Sequence, residues 1–327
     1  MKPLRHLSAE EVTAAAPTLL ERLGLAEVVM RALGHEAEMP PKIGVHPRAI
    51  GSLAHAMPAL LRGDLEDGSH DLIGMKWIAG FPANPSLGLA TYNALVVLND
   101  ATTGLPVGVL DGSAITAQRT AAVSGVVMRR FAPERMDRTS RVAVLGAGAQ
   151  ARSHLPVIGH VLPGAMVAVT DVDRSRAEAL ARDVAAFPGV VAIEVAGSVR
   201  EAVDGADVVV SAVSFGPNRQ TLDPAWLLPD VLFVAVDYDM QAPASLARDS
   251  FFLTDDREQF IASRRPGQFE DYPDPDATIG EVLRERTRRP AGRVLAAHLG
   301  VGLADVVFAA AILRRAEELG LGRVLPR

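Results

Sequence analysis

The feature that most constrains this chain is an apolar run that turns directly into a helical pattern through two glycines. Arg141-Val142-Ala143-Val144-Leu145 reads as a buried strand, and Gly146-Ala147-Gly148-Ala149-Gln150-Ala151 follows it at once. That order is the opening βα unit of a parallel, doubly wound sheet. Gly146 would allow the tight turn, and Gly148 would let a pyrophosphate approach the backbone. The small Ala151 would let helix and strand pack closely. The helix start then offers oriented amides and a positive dipole to phosphate. The rhythm continues with a strand at Met166-Val167-Ala168-Val169-Thr170 and a helix over 174–187. Further strands follow at 190–193, 207–210 and 231–236. Asp171 closes the second strand, where an acid would grip a ribose 2′-hydroxyl. Such an acid repels a 2′-phosphate and favours NAD(H), while the nearby Arg174 keeps NADP(H) open. A glycine turn in an α/β fold that holds no nucleotide is the plainer alternative.

The rest of the chain has a different texture. Ser8-Ala9-Glu10-Glu11 reads as a capping box, and Pro17 separates that short helix from a second one running to about residue 33. Strand-like stretches at 73–78, 94–98 and 107–110 are punctuated by Pro82, Asn84-Pro85 and Thr103-Gly104-Leu105-Pro106, as expected of an antiparallel or mixed sheet. Residues 114–131 form a helical pattern rich in small residues, and 304–319 form a last amphipathic helix. The Arg-, Pro- and Asp-rich stretch 264–277 reads as a surface loop.

Composition narrows the function. At 327 residues the chain suits two domains. Lys and Arg number 33 against 39 Asp and Glu, a net charge of −6, with no basic run of the kind nucleic-acid binders carry. With no cysteine, there are no disulfides, thiolate nucleophiles or cysteine metal sites. The opening Met1-Lys2-Pro3-Leu4-Arg5 leads into a polar segment rather than a signal-peptide core, and no window approaches ~18 consecutive apolar residues. His154 and His160, six apart in a helix, do not share a face, and no histidine spacing points to a metal. The expectation is a cytoplasmic two-domain enzyme that uses neither membrane nor nucleic acid.

Three cations in the first half stand out: Arg48 after His46-Pro47, Lys76 between apolar neighbours in a strand, and Arg119 in the small-residue helix. Buried cations need an anion. A substrate carboxylate would serve, held by guanidinium and ammonium. On the residues alone, pairing with protein carboxylates is the stronger reading. Asp237-Tyr238-Asp239 follows the strand at 231–236, at the sheet end where α/β folds place ligands. An acid there is either a solvated cap or a group facing the nicotinamide.

Taken as an ordered set, these residues resemble the ornithine cyclodeaminase/μ-crystallin family from about residue 40 to 320. The resemblance rests on Lys76, Pro82-Ala83-Asn84-Pro85, Gly88-Leu89-Ala90-Thr91, Leu98-Asn99-Asp100, Thr103-Gly104, Thr116-Ala117-Gln118-Arg119-Thr120-Ala121-Ala122 and the 146–151 loop. It implies a discontinuous layout. Residues 1–130 and 295–327 would form an α+β substrate-binding and dimerisation domain, and 131–294 a Rossmann dinucleotide-binding domain.

It also implies roles. Arg48, Lys76 and Arg119 would clamp an amino-acid carboxylate, which reverses the pairing preferred on the residues alone. Asp239 would be the catalytic acid/base, with Lys76 beside it in the chemistry. Thr91, Arg119, Gly146, Gly148, Ala149, Gln150, Asp171, Ser214, Val234, Ala235 and Val236 would contact NAD. Leu299 and Gly300 would close over nicotinamide and substrate. The implied activity is hydride exchange with the α-carbon of a small amino or imino acid, by a homodimeric reductase or dehydrogenase. Ornithine cyclodeamination and dinucleotide binding without turnover are the alternatives. Two departures weigh against ornithine. His55 stands where cyclodeaminases carry an acid, and an imidazole is a poor partner for an ammonium. An apparent insertion at 61–71 also reshapes the rim. Asp237-Tyr238 replaces the glycines usual after that strand.

Overall fold

The computed structural model describes residues 3–326, so Met1 and Lys2, which open the segment read above as polar, lie outside the described residues. In chain order the first elements are β1 (Leu4–Leu7), α1 (Ala9–Ala14), α2 (Leu19–Ala32), β2 (Ala37–Glu38), β3 (Ile43–Val45), β4 (Leu53–Leu61), β5 (Leu72–Gly80), β6 (Tyr92–Asn99), β7 (Pro106–Asp111) and α3 (Gly112–Phe131). There follow β8 (Arg141–Leu145), α4 (Ala149–Val161), β9 (Ala165–Thr170), α5 (Arg174–Arg182), β10 (Val190–Val195), α6 (Val199–Val203), β11 (Val208–Ser211) and β12 (Leu232–Ala235). The chain ends with α7 (Ala244–Arg248), β13 (Ser250–Thr254), α8 (Arg257–Ser263), β14 (Ala277–Thr278), α9 (Ile279–Arg284), β15 (Arg293–Ala297), α10 (Gly302–Glu318) and β16 (Arg323–Leu325).

Two compact units result. One joins the chain up to Arg119 with the chain from Gly300, and the other is Thr120–Leu299. The division thus falls eleven positions before residue 130, inside α3, and five after residue 294.

The first unit is built on an eight-stranded mixed sheet in the order β16-β1-β7-β6-β5-β4-β2, with β3 also pairing with β4. β4 to β7 form an antiparallel meander, while β1 runs parallel to β7. Alternation on β5 turns Gly74 and Lys76 inward and leaves Ile73 and Trp77 exposed. The inward face packs against α10, which is buried along Leu303, Val306, Val307 and Phe308. Thr18 starts α2 with a capping box to Glu21, and Ser8 caps α1 in the same way with Glu11.

The second unit is a wholly parallel sheet in the order β10-β9-β8-β11-β12-β15-β13-β14. Its first five strands follow the doubly wound order, and the order reverses between β8 and β11. Ala143, Leu145, Val209, Phe233 and Ala235 line one buried face, as expected of strands covered on both sides.

The stretch 264–277 corrects the sequence reading. Phe269 and Tyr272 are buried, and their rings pack edge-on at 5.2 Å with Phe260 beside them. Two aromatics outweigh the polar composition around them. The helix expected over 174–187 stops at Arg182 and gives way to a short 3₁₀ turn. Among the described residues no helix is long and apolar enough to cross a membrane.

Candidate functional site

Lys76 occupies the middle of β5, opposite Met57 on β4 and Val96 on β6, so the pleat alone directs it to the face under α10. It meets Asp305, an acid in the first turn of that helix, where the helix dipole favours a carboxylate. Lys76 Nζ lies 2.7 Å from Asp305 Oδ2 as an ion pair, and Thr116 Oγ1 is 3.4 Å from the same nitrogen. Arg119 reaches the other oxygen, with Nε donating to Asp305 Oδ1 at 3.2 Å. All three side chains are buried.

Two cations share one carboxylate. Burial, reinforced by Arg119 and resisted by Asp305, pushes the Lys76 ammonium down from 10.5 to about 7. The protein-carboxylate pairing read first from the residues is therefore present for Lys76 and Arg119, and while Lys76 keeps its proton two positive charges face one carboxylate. Gly300 lies against the Arg119 guanidinium with φ of +83°, and a Cβ there would run into that group. Arg48 is exposed on the loop after β3. Among the described residues no hydrogen bond or ion pair joins it to Lys76 or Arg119. Thr91, half-buried before β6, accepts from the Phe81 amide through its carbonyl.

In the second unit the 146–151 loop has the geometry its glycines foretold. Gly146 adopts φ of +94°, and a Cβ on it would stand 2.6 Å from the Ala212 carbonyl oxygen. Gly148 caps α4 without any side-chain acceptor for the helix amides, and a Cβ there would meet nothing within 4 Å. Open space above unclaimed amides fits a pyrophosphate. Ala149 and Gln150 begin the helix and Ala151 is fully buried beneath them. Asp171 accepts from the Ala147 amide at 2.7 Å through Oδ2 and from the Asp173 amide at 2.8 Å through Oδ1. It braces the glycine loop, and each oxygen keeps a lone pair for a ribose hydroxyl. Arg174 is engaged with Glu178 at 3.0 Å.

His154 is a core histidine. Its Nδ1 donates to the Gln150 carbonyl at 2.7 Å, so Nε2 is left to accept from Ser124 Oγ at 2.8 Å. Ser124 also lies 2.8 Å from His298 Nε2. Burial holds His154 near 4, well below its ordinary 6.5.

The end of β12 carries the remaining candidates. Val234 and Ala235 are fully buried, so only their main chain is available to a ligand, and the Val236 amide donates to Ser211 at 2.8 Å. Ser214 is exposed on the loop after β11 and Leu299 is buried. Asp237 accepts from the Ser211 hydroxyl and, at 3.0 Å, from the Val213 amide. Burial pushes its carboxyl up from 3.8 to about 7, and Asp239 adds to the shift.

Tyr238 holds φ of +65°, stacks on Phe269 at 5.5 Å and meets Phe215 edge-on at 5.2 Å. Asp239 is buried with both oxygens engaged, Oδ1 by Arg219 and Oδ2 by the Phe269 amide at 2.7 Å. Sequence reasoning missed Asp305, Arg219 and Phe269. Asp305 had a signal, an acid alone in the apolar run 301–309.

Comparison with known proteins matches the ornithine cyclodeaminase/mu-crystallin family over residues 7–318. The chain belongs to this family. A nodulation efficiency protein, NfeD, of Rhizobium meliloti is 33% identical over 330 residues, covering 99% of this chain and 98% of the relative. Among solved structures, the NAD-bound dimer of an archaeal alanine dehydrogenase superposes with a TM-score of 0.81 at 25% identity, covering 99% of each chain. The Δ1-pyrroline-2-carboxylate reductase of Thermococcus litoralis, solved with NADH and L-proline, shares the fold with a TM-score of 0.85 at 22% identity, covering 98% of this chain and all of the other.

Proposed function

We propose that the chain is an NAD(H)-dependent oxidoreductase that exchanges hydride with the α-carbon of a small amino or imino acid. The observation that carries this reading is that, among the described residues, the two buried cations Lys76 and Arg119 share the single carboxylate of Asp305. A buried excess cation is costly, and a substrate carboxylate would neutralise it. Arg119 supplies a planar fork for that carboxylate and Lys76 a compact donor. Arg48, exposed and with no ion pair among the described residues, would be a third arm. Gly300 gives the Arg119 guanidinium its room.

When bound, the nicotinamide supplies the hydride for reduction or takes it for oxidation. The 146–151 loop would hold the pyrophosphate and Asp171 the ribose, with NAD(H) favoured over NADP(H) because Arg174 is paired with Glu178. Thr91, Ser214, the main chain at Val234, Ala235 and Val236, and Leu299 would complete the dinucleotide contacts. Asp239 would accept from the substrate nitrogen and manage its proton. A Lys76 amine near 7 can hold or release a proton at working pH. Holding the substrate carbon against the nicotinamide would make the transfer effectively unimolecular.

A homodimer is part of the proposal. Ile73, Trp77 and Leu95 leave one apolar face of the first unit's sheet open, at 39%, 42% and 45% exposure. A cytoplasmic enzyme is consistent with the absence of cysteine.

The test is Arg119→Ala. Turnover should be lost while NADH affinity, read by fluorescence, stays within a few-fold. Equal loss of both would make Arg119 a cofactor or structural residue instead.

A further inference from the structure

Arg219 reaches Asp239 from the loop between β11 and β12. Its Nη1 donates to Asp239 Oδ1, and the guanidinium carbon stands 5.8 Å from the centre of the Phe215 ring. Asp239 Oδ2 is taken by the Phe269 amide, so the carboxylate is fixed at both ends and its charge is matched. The guanidinium is not fixed in the same way. Among the described residues Asp239 is its one hydrogen-bond and ion-pair partner, and the side chain keeps 19% exposure.

A guanidinium anchored through one nitrogen, with an unused edge open to solvent, is a fork for a planar anion. The same arrangement disfavours a second cation on the substrate. A side-chain ammonium reaching past the reacting nitrogen would meet the Arg219 guanidinium rather than a free carboxylate. Asp237 lies two residues away, but its carboxyl is held up by burial, which lessens the negative charge it adds.

We propose that Arg219 binds a second carboxylate on the substrate, so that the amino or imino acid handled at Asp239 is dicarboxylic. This rests on the reading that an amino- or imino-acid nitrogen is held at Asp239. The same fork chemistry would suit a dinucleotide phosphate, and the experiment separates the two sources.

Two measurements on the wild-type protein and Arg219→Ala decide it. In the first, L-aspartate, L-glutamate, L-alanine and L-ornithine are titrated into the protein saturated with NADH, and NADH itself is titrated into the free protein. The expected result is that a dicarboxylic acid binds wild type roughly thirtyfold more tightly than alanine, and that Arg219→Ala removes the difference. NADH affinity should change less than about twofold if the fork is used by the substrate and not by a dinucleotide phosphate. Tighter binding of alanine or ornithine, or a dicarboxylate preference that survives in Arg219→Ala, would overturn the proposal. So would a large loss of NADH affinity, which would assign the fork to a phosphate.

In the second, NADH oxidation is followed with ammonium plus oxaloacetate, 2-oxoglutarate or pyruvate. The ratio of kcat/KM for the better dicarboxylate to that for pyruvate should fall roughly thirtyfold in Arg219→Ala. Turnover of pyruvate but of neither dicarboxylate overturns the proposal and leaves the proposed reaction standing. Turnover of none, with Arg219-dependent dicarboxylate binding intact, leaves the binding assignment standing and removes the reaction.

Discussion

Asp305 and Lys76 form a buried ion pair at 2.7 Å between the first turn of α10 and the middle of β5. Arg119 shares the same carboxylate, so removing Asp305 would strand two cations in the interior. Asp305→Ala should lower stability by about 3–5 kcal/mol, the usual cost of leaving a buried charge unpaired. Urea denaturation measures it. A loss below about 1 kcal/mol would mean that water reaches the pair and that the cations are not held for a ligand.

Asp237 gives a pH dependence of defined sign. Its folded value, about 7, is above its ordinary 3.8, so the folded state keeps a proton that the unfolded chain gives up. The stability it contributes is complete below 3.8 and is lost as pH rises through about 7. Asp237→Asn removes the ionisation and should flatten that decline, worth about 1.4 kcal/mol per pH unit inside the window. The variant should gain on wild type as pH rises from 4 to 8 in a thermal melt series. Parallel melting curves would show that Asp237 is ionised throughout.

His154 acts in the opposite direction. Its folded value, about 4, is below its ordinary 6.5, so the unfolded chain takes up a proton that the buried imidazole refuses. Wild-type stability should fall as pH drops from 6.5 towards 4. His154→Gln should remove much of that slope, at a cost in stability at neutral pH from the lost Ser124 contact. Identical acid sensitivity in wild type and variant would contradict the assignment.

Much of this fold could be read from the residues, because local signals agreed with one another. The glycine loop, the strands β8 to β12 and the cap of α1 depend on neighbours in sequence, whereas β13, β14, β15 and the Thr18 cap of α2 went unread. β4 was missed because Pro58 interrupts it, although it pairs with β5 along its whole length. The site was only half legible. Lys76 and Arg119 were conspicuous as cations in apolar surroundings, but their partner Asp305 comes from the other end of the chain, and no periodicity links them. Arg219 and Phe269 reach Asp239 from irregular segments, which carry no pattern to read.

Gly300 should tolerate no side chain. With φ of +83° and the Arg119 guanidinium against it, Gly300→Ala would force Arg119 to move. KM for the amino acid should rise by at least about tenfold, the effect of a displaced carboxylate fork, with NADH affinity kept. Unchanged KM would show that Arg119 has room to spare.

The open sheet face tests the assembly. Trp77→Arg puts a charge in the middle of Ile73, Trp77 and Leu95 and should convert a dimer to monomers in sedimentation velocity. A variant that sediments like wild type would place the contact elsewhere.

The central claim is hydride exchange with an amino or imino acid, and absorbance at the NADH band tests it directly. The purified protein is given NADH with a cyclic imino acid, or with a 2-oxo acid and ammonium, and the amino acid formed is quantified alongside. One NADH consumed for each amino acid produced is the predicted result. Ammonia released from ornithine with no net change in NADH, or bound NADH that is never consumed by any of these substrates, would contradict it.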